Sequence, residues 1–302
     1  MISDSELASL AASHDIIRLG MIADDVRRAR HGARTTFLRV ASVAADSGAP
    51  IPIPRAAGEI SIVGTPVSGR AAVERVEQVA AEAGRVPLSA FSLADLEQLA
   101  AAESVTLRAI LERLHDAGLE LVAEAPIDRL RDPRRSIEEV NIAGLVLARL
   151  TVDGGAASDP IALFKAIAGL QRSVAVIRAF APLPRRLNPL LPTTGFDDLK
   201  RVALARIVAD GVPSIQVDWS RYGPKLAQVA LTAGADDVDG VSAEDDQSLG
   251  ARRAPLEEIR RDIRAAGFDP VERNGRFELV VPAATPAPAG DRHNLPFEER
   301  AQ

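Results

Sequence analysis

The feature that most constrains the fold of this 302-residue chain is a regular alternation of short apolar segments with longer amphipathic segments. Eight of the short segments have the aliphatic and β-branched character of strands, and most lie about 30 residues apart. They are Thr36–Val40, Ile60–Val63, Val86–Phe91, Leu119–Val122, Leu150–Val152, Val174–Phe180, Ser214–Asp218 and Asp237–Val241. Parallel strands need long crossovers, usually helices. The spacing therefore predicts an α/β fold, a TIM-type parallel (β/α) barrel.

The segments between these strands have the apolar spacing of helices that pack on a sheet. Leu107–Leu114 and Leu226–Ala233 both place apolar residues at i, i+3, i+4 and i+7. Several segments end on a glycine, the residue that most easily takes the left-handed conformation after a helix. These glycines are Gly84, Gly118, Gly211 and Gly234.

The first strand–helix unit departs from this pattern. Ala41–Glu59 contains Gly48 and the alternating prolines Pro50, Pro52 and Pro54. Proline has no backbone N–H donor and restricts the residue before it, so a helix cannot form there. We expect the barrel to be incomplete or open near this first unit.

Four segments follow from the same patterns. Residues 1–34 are predicted to form N-terminal helices, the second beginning at Asp15, and residues 35–245 the barrel. Residues 246–281 are predicted to form a C-terminal helix from Pro255 and a strand-like extension. Residues 282–302, rich in proline and alanine, are predicted to be a disordered tail.

The absence of cysteine excludes several classes of function. Without a thiol the chain cannot form disulfides, a thiolate nucleophile, a zinc–thiolate site or a cysteine-ligated iron–sulfur cluster. The net charge is −6 with no long basic block, so neither a nucleic acid nor an anionic membrane is expected as a partner. No apolar run is long enough to span a bilayer and no secretion signal is evident, so we expect a cytoplasmic protein.

Polar residues at the carboxyl ends of the predicted strands are the candidate site residues, because the βα loops of a barrel converge there. Glu124, Asp153 and Asp218 are candidate catalytic acids or bases. The candidate ligand-binding residues are Arg185, Arg186, Trp219, Tyr222 and Asp239, with Glu244 beyond the last strand. A rim of solvated charges without catalysis is the alternative interpretation. The four histidines are far apart in sequence, and no metal site is predicted.

The segment Tyr222–Leu231, continuing through Gly234–Gly240, resembles the C-terminal barrel region of the radical SAM enzymes of the futalosine route to menaquinone. Aminofutalosine synthase is the nearest in appearance, with cyclic dehypoxanthinyl futalosine synthase and the deazaflavin-forming synthases more distant. Leu19–Asp24 and Pro192–Leu199 also resemble segments of that family, and the resemblance covers most of residues 15–275. It implies a radical-SAM-like barrel.

The departures from the family pattern limit what the resemblance implies. The family's C-x-x-x-C-x-x-C cluster loop would fall within Ala41–Glu59, where this chain has no cysteine. Gly64-Thr65-Pro66 stands where the family has two glycines and a histidine, and Arg185 and Arg186 stand where a histidine is expected. Serine and aspartate are hard oxygen donors and poor substitutes for thiolates. We therefore predict no iron–sulfur cluster and no other cofactor, and S-adenosylmethionine, whose main anchor is the cluster, is not expected to be retained.

Two functions of different classes remain open. One is a non-catalytic partner or accessory protein of menaquinone biosynthesis, a pseudoenzyme that binds an active radical SAM homologue or forms a homodimer. The other is a repurposed non-radical enzyme, or a binder of a small polar ligand, that uses the barrel mouth. A decaying paralogue is a third possibility, but the intact apolar spacing of the helices argues against it.

Overall fold

The computed structural model of the chain describes residues 4–46, 52–154, 159–186, 193–244, 250 and 254–280. The strands are β1 (Arg34–Ala44), β2 (Glu59–Val63), β3 (Leu88–Ser92), β4 (Leu121–Pro126), β5 (Val146–Leu147), β6 (Leu150–Gly154), β7 (Ala179–Arg186), β8 (Ser214–Asp218), β9 (Asp237–Ser242) and β10 (Asp269–Arg273). The helices are α1 (Asp4–Ala12), α2 (Ile16–His31), α3 (Gly69–Ala83), α4 (Leu93–Ala102), α5 (Leu107–Asp116), α6 (Pro133–Ile142), α7 (Pro160–Val174), α8 (Gly195–Val208), α9 (Trp219–Thr232) and α10 (Pro255–Ala265).

The strands form a closed parallel barrel. Its order is β1-β2-β3-β4-β6-β7-β8-β9, and β9 returns to pair with β1. The two-residue β5 shares the edge of β4 with β6 and pairs with the start of β4. The TIM-type fold predicted from the sequence is confirmed.

The expected opening near the first unit is wrong. The described residues between β1 and β2 contain no helix, as the prolines predict, yet the barrel closes there. The reason is the length of β1, which has 11 residues and reaches neighbours on both sides. Val40–Ala44 pair with β2, while the other edge of β1 pairs with β9.

All eight predicted barrel strands are present, with one displacement. Val174–Phe180 was expected to be a strand, but α7 continues to Val174 and ends at Ala175, whose φ is +55°. The strand β7 begins only at Ala179 and runs on to Arg186. The displacement matters for function because it carries Arg185 into the strand, where its direction is fixed by the sheet.

Several helices begin where the sequence supplies a capping side chain. The Asp15 carboxylate accepts a hydrogen bond from the N–H of Arg18 at the start of α2, and Asp159 caps α7 before its first-turn proline. Ile110, Leu111 and Leu114 form the buried face of α5. Burial of each such side chain contributes about 1.5–3 kcal/mol to folding, so the helices are held mainly by this apolar layer against the barrel.

The C-terminal extension lies across the amino end of the barrel. Its strand β10 pairs in parallel with the first half of β1, from Arg34 opposite Asp269 to Leu38 opposite Arg273. Arg273 binds the Asp237 carboxylate through two hydrogen bonds of 2.6 Å. Arg276 binds Glu120 through two of 2.8 Å. The extension therefore packs against the end of the barrel opposite the strand carboxyl ends.

Within the part of the chain that the structure describes, every helix is too short or too polar to cross a membrane. The predicted disordered tail, residues 282–302, lies outside the described residues.

Candidate functional site

A cavity of about 960 Å³ opens at the carboxyl ends of the barrel strands. Its walls come from β1, β2, β3, β4, β7, β8 and β9, including Ala44 and Ser92 at strand ends, and from residues beyond the strands such as Gly64 and Ser220. This is the end of a parallel barrel at which binding and catalytic groups gather. The cavity is the candidate site.

Arg149 lies inside the cavity between two buried carboxylates. Its Nη1 forms an ion pair with Asp239, and its Nη2 lies 3.4 Å from Oε1 of Glu59. Glu59 also accepts a 2.7 Å hydrogen bond from the Ser89 hydroxyl. The Glu59 and Asp239 side chains are each 1% exposed, so their charges are compensated by Arg149 rather than by water.

The three charges of this group perturb one another. Burial raises the pKa of Glu59, and the nearby Asp239 carboxylate adds to that rise, while Arg149 opposes it. Burial disfavours the Arg149 cation, but Asp239 and Glu59 outweigh it and hold the pKa of the guanidinium above its ordinary value. Arg149 is thus a fixed cation, and burial favours the protonated form of Glu59.

Arg185 forms a second charged centre in the cavity. Its Nε lies 2.9 Å from Oε2 of Glu124, and its Nη1 donates a 2.7 Å hydrogen bond to Oδ2 of Asp218. The Arg185 side chain is 7% exposed. Since β4, β7 and β8 each supply one of these side chains, the barrel itself positions the group.

Asp218 is occupied on both carboxylate oxygens. Oδ1 accepts hydrogen bonds from the Ser220 hydroxyl and from the backbone N–H of Arg221, so Asp218 caps α9. Oδ2 accepts a hydrogen bond from Arg185. Burial acts to raise the pKa of Asp218, but Arg185, Ser220 and Arg221 outweigh it, and the pKa lies below its ordinary value. A carboxylate in this state is a weak base. Asp218 therefore positions Arg185 rather than acting as a base.

The structure divides the other predicted site residues into two groups. Glu124, Arg185, Asp218, Asp239 and Glu244 line the cavity. The other four candidates, Asp153, Arg186, Trp219 and Tyr222, lie outside its described lining.

These four side chains are engaged elsewhere. Asp153 and Arg186 pair with one another, Oδ2 to Nη2 at 2.6 Å, on the outer rim. Trp219 packs in the core, and the Tyr222 hydroxyl donates to the carbonyl of Pro184. Burial raises the pKa of Tyr222, which keeps that donor proton in place.

Five charged residues of the described cavity lining were not predicted from the sequence: Glu59, Arg75, Asp95, Arg149 and Arg221. Arg75 is buried on α3, donates to the carbonyl of Ala44 and also lines the cavity. A signal existed for two of them. Glu59 and Arg149 directly precede the apolar residues of β2 and β6. A charged side chain that a barrel strand carries into the interior must be paired there.

The residues present do not fit the iron–sulfur cluster that a radical SAM barrel implies. Pro52 and Pro54, which follow β1, form part of the cavity wall where a cluster loop would lie. The chain has no cysteine to supply a thiolate. Across the described ranges, no group of His, Asp and Glu side chains could hold a metal ion.

Residues 183–284 match the family described as the CofH/MqnC C-terminal region. Aminodeoxyfutalosine synthase of Streptomyces coelicolor is 40% identical over 102 residues, which are 32% of this chain and 26% of that protein. Cyclic dehypoxanthine futalosine synthase of the same organism is 27% identical over 252 residues, 75% of this chain and 62% of that one. The matches thus span between about a quarter and six-tenths of these two relatives.

Two solved structures share the barrel. Methylornithine synthase (PylB) superposes with a TM-score of 0.63 at 15% identity, covering 89% of this chain and 94% of that one. The hydrogenase maturase HydG from Carboxydothermus hydrogenoformans superposes with a TM-score of 0.61 at 12% identity, covering 89% and 76%. At such identities the likeness concerns the fold alone.

Proposed function

Taking as premise that this chain is a relative of the radical SAM enzymes of the futalosine pathway, we propose that it is a cluster-free, non-radical accessory protein of menaquinone biosynthesis that binds a small polar molecule in its barrel mouth. The observation that carries this proposal is the charged cavity. About 960 Å³ of space is lined by two arginines, Arg149 and Arg185, each held between two carboxylates.

The organisation of the charges supports binding rather than mere packing. Ion pairs buried in a barrel contribute little to stability compared with apolar residues of the same volume, because desolvation offsets their attraction. Here they face an open space of ligand size instead of filling it. Arg149 and Arg185 are already fixed by their partners, so ordering them on binding has a small entropic cost.

The lack of thiolate ligands for an iron–sulfur cluster supports the non-radical part of the proposal. The relatives matched here include an aminodeoxyfutalosine synthase and a cyclic dehypoxanthine futalosine synthase. This chain has no thiolate with which to hold an iron–sulfur cluster. Its remaining residues can bind and orient a molecule in the mouth, and no acid–base step is assigned to them.

A binding screen tests the proposal. We expect aminodeoxyfutalosine, or another futalosine-type nucleoside, to raise the melting temperature saturably, since a ligand that binds only the folded state stabilises it. S-adenosylmethionine serves as the comparison ligand and is expected to give no comparable shift. Isothermal titration calorimetry then measures the dissociation constant.

The matched variants are Ser61→Trp and Ser173→Trp. Ser61 lines the cavity, so an indole there fills it, whereas Ser173 lies exposed on α7. Binding is expected to be lost in the first variant and retained in the second. Equal binding by both variants, or no saturable binding of any nucleoside, contradicts the proposal.

A further inference from the structure

Four residues that line the cavity carry buried polar atoms without a hydrogen-bond partner in the protein. These atoms are the hydroxyl of Ser92, the Nε of Arg149, the Nε of Arg185 and both carboxylate oxygens of Asp239. They are five of the ten such side-chain atoms in the described part of the chain. Because buried polar groups are nearly always hydrogen-bonded, their concentration in one cavity points to a bound molecule as the partner.

The contacts already present in the cavity do not satisfy these atoms. Asp239 faces Nη1 of Arg149, and Nε of Arg185 lies 2.9 Å from Oε2 of Glu124, but neither contact has the geometry of a hydrogen bond. Ser92 directly precedes α4, yet its hydroxyl does not accept a hydrogen bond from that helix. The Asp239 and Arg185 side chains are 1% and 7% exposed, so water has little access to them.

The unsatisfied atoms include both donors and acceptors. The two arginine Nε atoms donate, the Asp239 oxygens accept, and the Ser92 hydroxyl can do both. A carboxylate supplies only acceptors and an ammonium only donors, so a group of either charge would satisfy part of the set. A hydroxyl group donates and accepts through one atom, and it adds no charge beside the existing ion pairs.

The four residues come from different parts of the barrel wall. Ser92 ends β3, Arg149 precedes β6, Arg185 lies in β7 and Asp239 lies in β9. A planar amide presents its donor and acceptor in one plane, whereas neighbouring hydroxyls on a sugar ring point in several directions. The arrangement therefore favours a ligand part that carries more than one hydroxyl.

We infer that Asp239 and Arg149 bind a vicinal diol of the ligand, the uncharged and hydroxyl-bearing part of a sugar ring. The Asp239 carboxylate accepts hydrogen bonds from the diol and Nε of Arg149 donates to it. The two side chains are in direct contact, so one diol can bridge them without separating the ion pair. The inference rests on the proposed function, since it names the part of a nucleoside, its ribose, that this cavity holds.

A nucleoside series tests the inference on the wild-type protein. Adenosine carries the 2′,3′-diol, and 2′,3′-dideoxyadenosine lacks both hydroxyls. Protonated 3′-amino-3′-deoxyadenosine and adenosine 3′-monophosphate place a cation and an anion at the same position. In calorimetry at equal ionic strength, we expect adenosine to bind saturably and at least about tenfold more tightly than each of the other three. Absence of adenosine binding, or an analogue that binds as tightly as adenosine, overturns the inference.

Asp239→Asn and Asp116→Asn locate the contact. The first removes the charge and one acceptor oxygen inside the cavity, and the second changes a side chain that is 84% exposed at the end of α5. We expect the preference for adenosine over 2′,3′-dideoxyadenosine to fall at least about fivefold in Asp239→Asn and to persist in Asp116→Asn.

The preference separates a lost contact from a general disturbance of the cavity. A disturbance weakens both nucleosides alike, so an unchanged preference in Asp239→Asn contradicts the inference. If Asp239→Asn does not fold, or binds neither nucleoside measurably, the ranking of the four nucleosides on wild-type protein decides.

Failure of this inference is distinguishable from failure of the proposed function. If aminodeoxyfutalosine binds in a Ser61→Trp-sensitive manner while 2′,3′-dideoxyadenosine binds as tightly as adenosine, the proposed function stands and only the diol contact is removed.

Discussion

At the scale of a single residue, Glu59 shows how a carboxyl group is held inside this barrel. Its carboxyl is 1% exposed and is held by the Ser89 hydroxyl and Arg149. Burial raises its pKa above the ordinary value, so the native state binds more protons than the unfolded chain over the interval between the two pKa values. Stability contributed by this residue is therefore full at low pH and is lost as the pH rises through that interval.

Glu59→Gln tests this linkage. Glutamine keeps the shape and can still contact Ser89 and Arg149, but it has no charge to desolvate. We expect the difference in unfolding free energy, variant minus wild type, to move in favour of the variant as the pH rises from 4.5 to 8, measured by urea denaturation. The exposed Glu112→Gln is the control. A difference that does not change with pH, or that moves in favour of wild type, would falsify this account of Glu59.

At the scale of elements, the C-terminal extension is the part of the fold that local sequence patterns describe least completely. The sequence predicts a strand-like extension within residues 246–281, but the pairing of β10 with β1, more than 200 residues earlier, is not visible in it. That pairing depends on β2 starting opposite Val40, which leaves the first half of β1 free for β10. Arg273 then reaches Asp237 and anchors the extension to the barrel.

Arg273→Met tests this anchor. It leaves the fully buried Asp237 carboxylate without its cation, and we expect a loss of about 3–5 kcal/mol in unfolding free energy by urea denaturation. Arg70→Met removes an exposed i,i+4 pair with Glu74 and should leave the unfolding free energy almost unchanged. Adding Asp237→Asn to Arg273→Met should restore part of the loss. If Arg273→Met costs no more than Arg70→Met, the anchor is not structural.

The barrel strands and most helices could be predicted because their signals are local. Apolar spacing, capping aspartates and terminal glycines each act within a few residues. The closure of the barrel could not be predicted, because it depends on the pairing of β1 with β9 and not on the composition of the first crossover. The start of β7 was misplaced because Val174, Val176 and Ile177 have strand-like character, yet α7 extends to Val174.

At the scale of the whole molecule, the barrel combines a family fold with a site of its own. Glu124, Arg185, Asp218 and Asp239 could be assigned to the mouth because strand carboxyl ends meet there. Their pairing, and the contacts of Glu59 and Arg149, could not be predicted, because those contacts join residues up to about 90 positions apart in the sequence. Contact with an active homologue, or a homodimer, stays a prediction of the sequence.

The most direct test of the central claim is anaerobic reconstitution with iron and sulfide, followed by incubation with S-adenosylmethionine and a reductant. The claim is that the barrel has lost the donors for radical chemistry and kept a binding cavity. It predicts no stoichiometric iron bound to the chain and no 5′-deoxyadenosine in the products. A stoichiometric, oxygen-sensitive iron centre that releases 5′-deoxyadenosine would contradict it.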